Sequence, residues 1–490
     1  MGHETDNPEL LPLPLLKRED LEQLSKPQLI EIVLLLQEQN RILREQVRKL
    51  EARVEELERR LNEHSGTSSK PPSSDPPWAK LKRKKKEKSG RKPGGQPGHD
   101  GHRRELLPPE KVDELQQITP KRCSCCGKAL HGKDPAPKRY QWSELPATIK
   151  PTVHEVQLHT LRCQNCGASN TPDLPPGTPT GAFGPRVQAM VAVLTGVYRL
   201  SKRKVVYLMQ DFFHLQICLG SVSACEAAVS DAVSEPVGEA HQYVQKSSVL
   251  NADETGWWQR HLRSWLWVAA TPMVVVFLVQ WRRNSDAAKE LLGKFAGVLV
   301  SDRWSGYDYF KGRRQQCWAH LRRYFEAFSE LPGGPGRIGK ELLGNVRIMF
   351  KWWHQVRDGT LTRAVFIVRM EQIQKDIEAL LSKGERCGHS RMSKTCRKIL
   401  AVSEHLWTFV TEDGVEPTNN FAERMLRHAV IWRKISFGTH SEEGSRFVER
   451  VLTVTATCWL QSRNPLDYIA EACRAKLFNL SAPSLLPQSR

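Results

Sequence analysis

At 490 residues, with 39% hydrophobic residues, the chain is long enough for two to four domains and a substantial core, which excludes a wholly disordered protein. A net charge of +19 and a pI near 9.5 draw it to polyanions, so nucleic acid is the default partner and a merely basic or ribosome-associated protein the bland alternative. The start, with Glu4, Asp6 and Glu9, has no basic stretch followed by an apolar run, so no signal peptide is expected, and the 12 cysteines then suit metal binding in a reducing compartment better than disulfides.

Residues 17–64 carry a heptad pattern. Leu29, Leu36, Leu43, Leu50 and Leu57 recur every seven residues, with Val33, Asn40, Val47, Val54 and Leu61 between them. Alternating steps of three and four make an a/d seam; Leu at d with Val at a favours two parallel strands, and a single Asn at an a position fixes register. A leucine-zipper-like coiled coil is expected here, making the chain a homodimer or higher assembly. From 65 to 110 Ser, Pro, Gly and Lys dominate, and nine Lys/Arg against one Glu fall between Lys80 and Lys92. Such a segment cannot bury enough apolar surface to order itself. As a basic linker, its Lys82, Arg83, Lys84, Lys85 and Lys86 would hold DNA phosphates without reading sequence.

Cys123-Ser-Cys-Cys126-Gly and Cys163-Gln-Asn-Cys166-Gly are two C-x-x-C-G knuckles, the pattern of a zinc ribbon, here over 111–175. Cys123, Cys126, Cys163 and Cys166 are the expected Zn2+ ligands, and Cys125 does not fit the spacing. Residues 181–240 read as a helical domain, with Ser201 and Ser221 as N-caps on either side of a turn near Leu219-Gly220. This is a helix-turn-helix outline, but the second helix holds Glu226 and Asp231 and no basic residue, so helical packing is preferred to major-groove reading.

From Val249 the pattern turns to strands, over 249–258, 263–270 and 273–281, followed by a helix over 286–296 and the run Gly-Val-Leu-Val-Ser-Asp302. Ser264 to Trp281 is an uncharged run of 18, but Thr271-Pro272 in its middle makes it two buried strands at a turn and not a membrane span. Three strands, a helix and a further strand is the order of an RNase H-like α/β core. Asp253 and Asp302, 49 positions apart, could meet on neighbouring strands. Phosphodiester chemistry uses such carboxylates to hold two Mg2+ ions. Glu423 sits one turn into a helix opened by Pro417 and capped by Thr418, with Arg427 four residues on. By itself that pair reads equally as a surface ion pair worth under about 0.5 kcal/mol.

The ordered pieces Ser-Ser-Lys-Pro-Pro-Ser-Ser-Asp75, Gly-Gly-Gln-Pro-Gly-His99, Asp253-Glu-Thr-Gly-Trp257, Leu-Trp-Val-Ala-Ala-Thr-Pro272, Val-Ser-Asp302-Arg, Cys317-Trp-Ala-His320-Leu-Arg-Arg, Pro417-Thr-Asn-Asn-Phe-Ala-Glu-Arg424, Ile431-Trp-Arg-Lys-Ile-Ser-Phe-Gly438 and Gly444-Ser-Arg-Phe-Val-Glu449 are similar to those of the insertion-sequence-66 family of transposases, over nearly the whole chain. The resemblance implies a multidomain DDE-type transposase: coiled coil, zinc ribbon, and an RNase H-like catalytic core over 247–440, then a helical segment over 441–490. The 121 positions between Asp302 and Glu423 exceed what the core needs and imply an all-helical insertion over 321–410.

By the same resemblance Asp253, Asp302 and Glu423 form the catalytic triad that binds Mg2+ (or Mn2+). Glu254 rivals Asp253, but strand neighbours face opposite ways, so one of them faces the metals. Cys317 and His320, similar to a C-x-x-H signature of related enzymes, support the site together with Asn419 and Asn420. Arg424 and Arg427 join the DNA-contacting set. The implied reaction cuts at transposon ends and transfers the freed 3′-hydroxyl into target DNA. The implied partners are double-stranded DNA and small accessory proteins of the element, in a bacterial cytoplasmic, nucleoid-associated setting. A dimeric zinc-bearing DNA-binding regulator and an RNase H-like nuclease are the rival readings.

Overall fold

The structure is a computed structural model that describes residues 18–62, 105–132 and 134–487. A short helix α1 (Arg18–Glu22) precedes the 37-residue α2 (Lys26–Asn62), and a two-stranded ladder of β1 (Leu161–Arg162) and β2 (Ser169–Asn170) follows. Four helices come next: α3 (Pro185–Gly196), α4 (Lys202–Phe213), α5 (Leu219–Ala232) and α6 (Ser234–Gln245). Then come β3 (Val249–Gln259), β4 (Leu262–Ala270), β5 (Val275–Gln280), α7 (Ser285–Leu292), β6 (Val298–Ser301) and β7 (Arg314–Gln316). The chain continues through α8 (Trp318–Ser329), α9 (Gly333–Arg357), α10 (Arg363–Glu385) and α11 (Ser390–Leu400), and closes with α12 (Thr408–Thr411), α13 (Asn420–Ser436), α14 (Glu442–Leu460) and α15 (Pro465–Leu477). The described residues form two compact units, one of 18–62 with His320–Ala401, the other of 105–319 with 402–487.

In the first unit, α10 packs against α9 and α11. Its buried Phe366, Met370, Ile373 and Ile377 keep the three- and four-residue spacing of one helix face, and Phe366 tilts against Trp353 of α9 at 5.8 Å. On α2, the heptad residues Val33, Leu36, Leu43, Val47, Leu50 and Val54 are all exposed in the single chain. The side chains of Leu57 and Leu61, and the whole basic run Lys82–Lys86, lie outside the described residues.

The second unit is mixed α/β, built on a five-stranded sheet in the order β5-β4-β3-β6-β7. The first three strands pair antiparallel, and β6 and β7 add on in parallel. β4 and β5 are runs of Trp, Leu, Val and Phe because both faces are covered; Leu266, Trp267, Val268, Val275, Val276 and Phe277 are all buried. Thr271 turns the chain between them, its N–H donating to the Val274 carbonyl at 2.8 Å and its hydroxyl receiving the Val274 N–H at 3.0 Å.

Three local expectations are corrected. α5 starts at Leu219 with Cys218 as its cap, whose thiol accepts the Ser221 N–H, so Ser221 lies inside the helix and is no cap. α7 stops at Leu292, short of 296, because Gly293 at φ +53 turns the chain where any side chain would strike Gln245. Asn419, not Thr418, holds the cap position of α13.

The sheet edge at β5 is closed by a helix. Val275, Phe277 and Val279 point their N–H groups outward, and Thr457, Thr453 and Glu449 of α14 accept them. The match is geometric: alternate strand residues are about 6.6 Å apart and helix residues four apart about 6 Å. An edge that would otherwise invite another chain is thereby filled. Burial pushes the Glu449 carboxyl up to about 7, with Arg446 and the Val279 N–H pulling it down only in part. A raised carboxyl pKa means that the folded state favours the protonated form. Its contribution is therefore complete below the ordinary 4.5 and is lost as pH rises through about 7. Glu449→Gln, which keeps an acceptor for Val279, is expected to match wild type near pH 4.5 and to exceed it at pH 8 by about 1–3 kcal/mol. Urea midpoints across this range check it, and parallel curves for the two proteins would refute it.

Candidate active site

The parallel pairing of β3 with β6 places Val249 beside Val298, Leu250 beside Leu299 and Asn251 beside Val300. Asp253 lies four residues past Val249 and Asp302 four past Val298, so one register carries both carboxylates to the same level where β6 ends. Asp253 accepts the Glu254 N–H at 2.9 Å, and Asp302 accepts the Trp304 N–H at 2.9 Å.

Asn251, Asp253 and Thr255 alternate onto one face of β3, and α13 lies along it. The Asn419 carboxamide accepts from Asn251 Nδ2 at 3.1 Å and donates to the Ala252 carbonyl at 2.8 Å. Because that side chain is committed to β3, it makes no cap bond to its own helix. The Asn419 N–H donates to Cys317 Sγ at 3.1 Å, and the Cys317 N–H donates to the carbonyl of Ser301, the residue before Asp302, at 3.0 Å. Asn419 thus ties the Asp253 strand, the end of the Asp302 strand and the start of α13 together. Glu423 follows one turn later, its N–H donating to the Asn419 carbonyl. Further along α13, Arg433 donates to Thr255 Oγ1 at 3.0 Å and to the Gly256 carbonyl.

The acidic groups feel one another. Lost hydration, then Glu254, Asp302 and Glu423 in turn, push the Asp253 carboxyl well above the usual carboxylate range. On the opposite face, Glu254 is pushed up to about 7, by burial first and Asp302 second. Arg283 offsets part of this, bonding Glu254 Oε1 at 2.6 Å, and the Tyr307 hydroxyl donates to Oε2 at 3.1 Å. Both Glu254 oxygens are occupied, whereas Asp253, Asp302 and Glu423 each keep partial solvent access. Hard oxygen donors gathered under mutual repulsion fit a divalent cation, which offsets the like charge. Ligand atoms of Cys317 and Glu423 come within 4.8 Å of each other; Cys317 sits just before α8, and His320 lies in the first turn of that helix.

Asn420, Arg424 and Arg427 are exposed on α13, with the Arg424 guanidinium 5.5 Å from the Phe421 ring. The two cysteine knuckles share one backbone pattern. Gly127 donates to the Cys123 carbonyl and Cys123 to the Lys128 carbonyl, at 3.0 and 2.8 Å; Gly167, Cys163 and Ala168 repeat this at 2.8 and 2.8 Å. Gly127 and Gly167 take φ of +69 and +75, the left-handed turn that favours glycine. Backbone N–H groups, of Cys126 first in one knuckle and Cys166 first in the other, hold the Cys123 and Cys163 thiols below the ordinary thiol range. Among the described residues, no three of these four thiols come within 4.8 Å of one another.

Sequence reasoning missed Arg283, Trp304, Tyr307, Asn251 and Arg433. Two of them carried a signal: Asn251 stands two residues before Asp253 and therefore on its face, and Arg433 lies within the matched piece Ile431–Gly438.

Asn419→Ala strips partners from Asn251 and the Ala252 carbonyl and is expected to cost about 1–3 kcal/mol. Asn419→Asp, which cannot donate to that carbonyl and adds a like charge, is expected to cost more. Urea melts rank the two, and an alanine variant as stable as wild type would break the proposed tie.

The family model described as "Transposase IS66 family" matches residues 180–446, and one described as a family of unknown function (DUF6444) matches residues 18–105. "Uncharacterized protein y4qI" of Sinorhizobium fredii (strain NBRC 101917 / NGR234) is 26% identical over 234 residues, 43% of this chain and 43% of that protein. "Uncharacterized protein y4hP" of the same strain is 25% identical over 401 residues, 72% of this chain and 70% of its own length. The chain thus spans less than half of the first relative and more than two thirds of the second. The transposase model covers more than half of the chain, with the paired aspartates, Asn419 and Glu423 all inside it, and this protein therefore belongs to the IS66 family of transposases.

Proposed function

We propose that this protein is a DNA transposase that cuts strands at transposon ends and joins the freed 3′-hydroxyl to target DNA. The observation that supports the reading is the shared register of Asp253 and Asp302, with Glu423 one helical turn past Asn419, which bonds β3. The strand order and directions support an RNase H-like core. Between the rivals on β3, Asp253 is the ligand, since Arg283 and Tyr307 occupy Glu254. Mg2+ or Mn2+, when bound, supplies an activated oxygen nucleophile and steadies the leaving oxygen. The protein's part is to hold Asp253, Asp302 and Glu423 in place before the DNA arrives, so that no reorganisation is needed during reaction. In the first step a phosphodiester at the transposon end is hydrolysed, leaving a 3′-hydroxyl. In the second that hydroxyl attacks a target phosphate and a target-strand oxygen leaves.

Arg424 and Arg427, exposed beside Glu423, supply phosphate contacts, and Lys82–Lys86 add sequence-independent attraction. Cys123, Cys126, Cys163 and Cys166 hold a structural Zn2+ once the preformed knuckles close on it. The exposed α2 seam pairs with a second copy, which brings two transposon ends together. Among the described residues no helix is long and apolar enough to cross a membrane, and a bacterial cytoplasmic, nucleoid-associated setting fits the substrate. A non-catalytic regulator would leave the crowded carboxylates without a role, and a nuclease would cut without joining.

Asp302→Asn, Asp253→Asn and Glu423→Gln are each expected to lower cleavage and strand transfer at least about 100-fold while DNA binding persists in a mobility-shift assay. Asp253→Asn is also expected to raise the metal-free melting temperature, because it removes a carboxylate that burial and three like charges penalise. Undiminished joining by Asp302→Asn would sink the assignment. Leu36→Glu with Leu43→Glu should halve the mass seen by sedimentation; an unchanged mass would place the self-association elsewhere.

A further inference from the structure

Glu254 lies on the face of β3 away from α13, beside Trp267 in the β4 register, and its side chain is almost wholly buried. A carboxylate there is expensive. Space alone would be filled more cheaply by an apolar residue, with no charge buried beside Asp302. What a carboxylate adds is two oxygens, and both are used. Oε1 receives Arg283 Nε at 2.8 Å and Nη2 at 2.6 Å, and Oε2 receives the Tyr307 hydroxyl at 3.1 Å.

Each partner leads back to Asp302. The Arg283 guanidinium stacks over Trp304 at 4.6 Å and Trp265 at 5.1 Å. Trp304 meets Tyr307 edge-on at 5.4 Å and leans on Trp267 at 5.5 Å. Gly306 leaves room for that indole, since a Cβ there would come within 2.0 Å of it. The Trp304 backbone N–H is the donor that holds Asp302 Oδ1. At its far end the segment is moored by Asp308, bonded at 2.9 Å to the buried Arg314 of β7.

We propose that Glu254 is a positioning residue for Asp302. By gripping Arg283 and Tyr307 together it fixes the Trp304 loop, and through the Trp304 N–H it sets the direction in which the Asp302 carboxylate faces Asp253. The inference rests on the reading of Asp302 as a cation ligand. It assigns Glu254 no contact with metal or DNA.

The test uses the full chain with Tyr307→Phe, a mild change that removes one hydrogen bond, and Glu254→Gln, which keeps an acceptor but removes the charge facing Arg283. Mn2+ binding is followed by isothermal titration, with Asp302→Asn as the baseline for ions bound elsewhere. Cleavage of end-bearing DNA is measured against Mg2+ concentration, and melting temperature is taken without metal. Both variants are expected to bind Mn2+ about 10-fold or more weakly and to need correspondingly more Mg2+ for half-maximal cleavage, with cleavage at saturating Mg2+ recovering toward wild type. A role confined to stability would lower the melting temperature and leave Mn2+ affinity at the wild-type value, which overturns the proposal. If Asp302→Asn abolishes cleavage while both Glu254-network variants bind Mn2+ like wild type, positioning falls and the triad stands. If Asp302→Asn itself binds Mn2+ and cleaves normally, the triad reading falls first.

Discussion

Crowding of like charge is the constraint around which the second unit is organised. Asp253, Glu254, Asp302 and Glu423 repel one another where hydration is partly lost. Two such charges 4 Å apart cost about 4 kcal/mol at an effective dielectric constant near 20. Apolar packing meets that cost. Trp257, Trp267, Trp318, Tyr307 and Phe277 are fully buried in the same unit, and a large side chain contributes about 1.5–3 kcal/mol when taken from water. The repulsion persists only if the backbone cannot relax the carboxylates apart. The parallel register of β3 and β6 is what denies that relaxation. Gly297, just before β6, allows it, because a Cβ there would press to 2.3 Å from the Ser248 carbonyl.

The sequence made some of this legible and hid the rest for physical reasons. β4 and β5 were readable because burial on both faces writes itself as an apolar run, and Thr271-Pro272 marked their turn. That Asp253 and Asp302 could lie on neighbouring strands was readable, but the register that sets them at one level was not, since parallel pairing is non-local and no spacing encodes it. Glu423 was visible through family likeness, for its link to β3 runs through Asn419, whose carboxamide bonds to another element across the fold instead of capping its own helix. Arg283 and Tyr307 left no trace, because a cation and a phenol reveal a buried carboxylate partner only once folding has brought them together. The mistaken cap at Ser221 has a simpler cause: a cysteine thiol at position 218 took a role usually given to hydroxyls and carboxamides.

The same logic explains how Cys317 and Asn419, 102 positions apart, are still in hydrogen-bond contact. Where the chain leaves the second unit, the Trp318 N–H donates to the Pro417 carbonyl at 2.9 Å and its indole N–H to the Leu406 carbonyl at 2.7 Å. Gln315 spans the same gap, donating to the Leu406 carbonyl at 3.0 Å and accepting the Phe409 N–H at 2.9 Å. Departing and returning strands of chain are thus stitched together before Glu423 is reached. Loop-closure entropy grows only with the logarithm of length, so once the two ends are clamped, the intervening α9, α10 and α11 are thermodynamically free to vary. The start of α13, one turn before Glu423, is thereby fixed by the clamp.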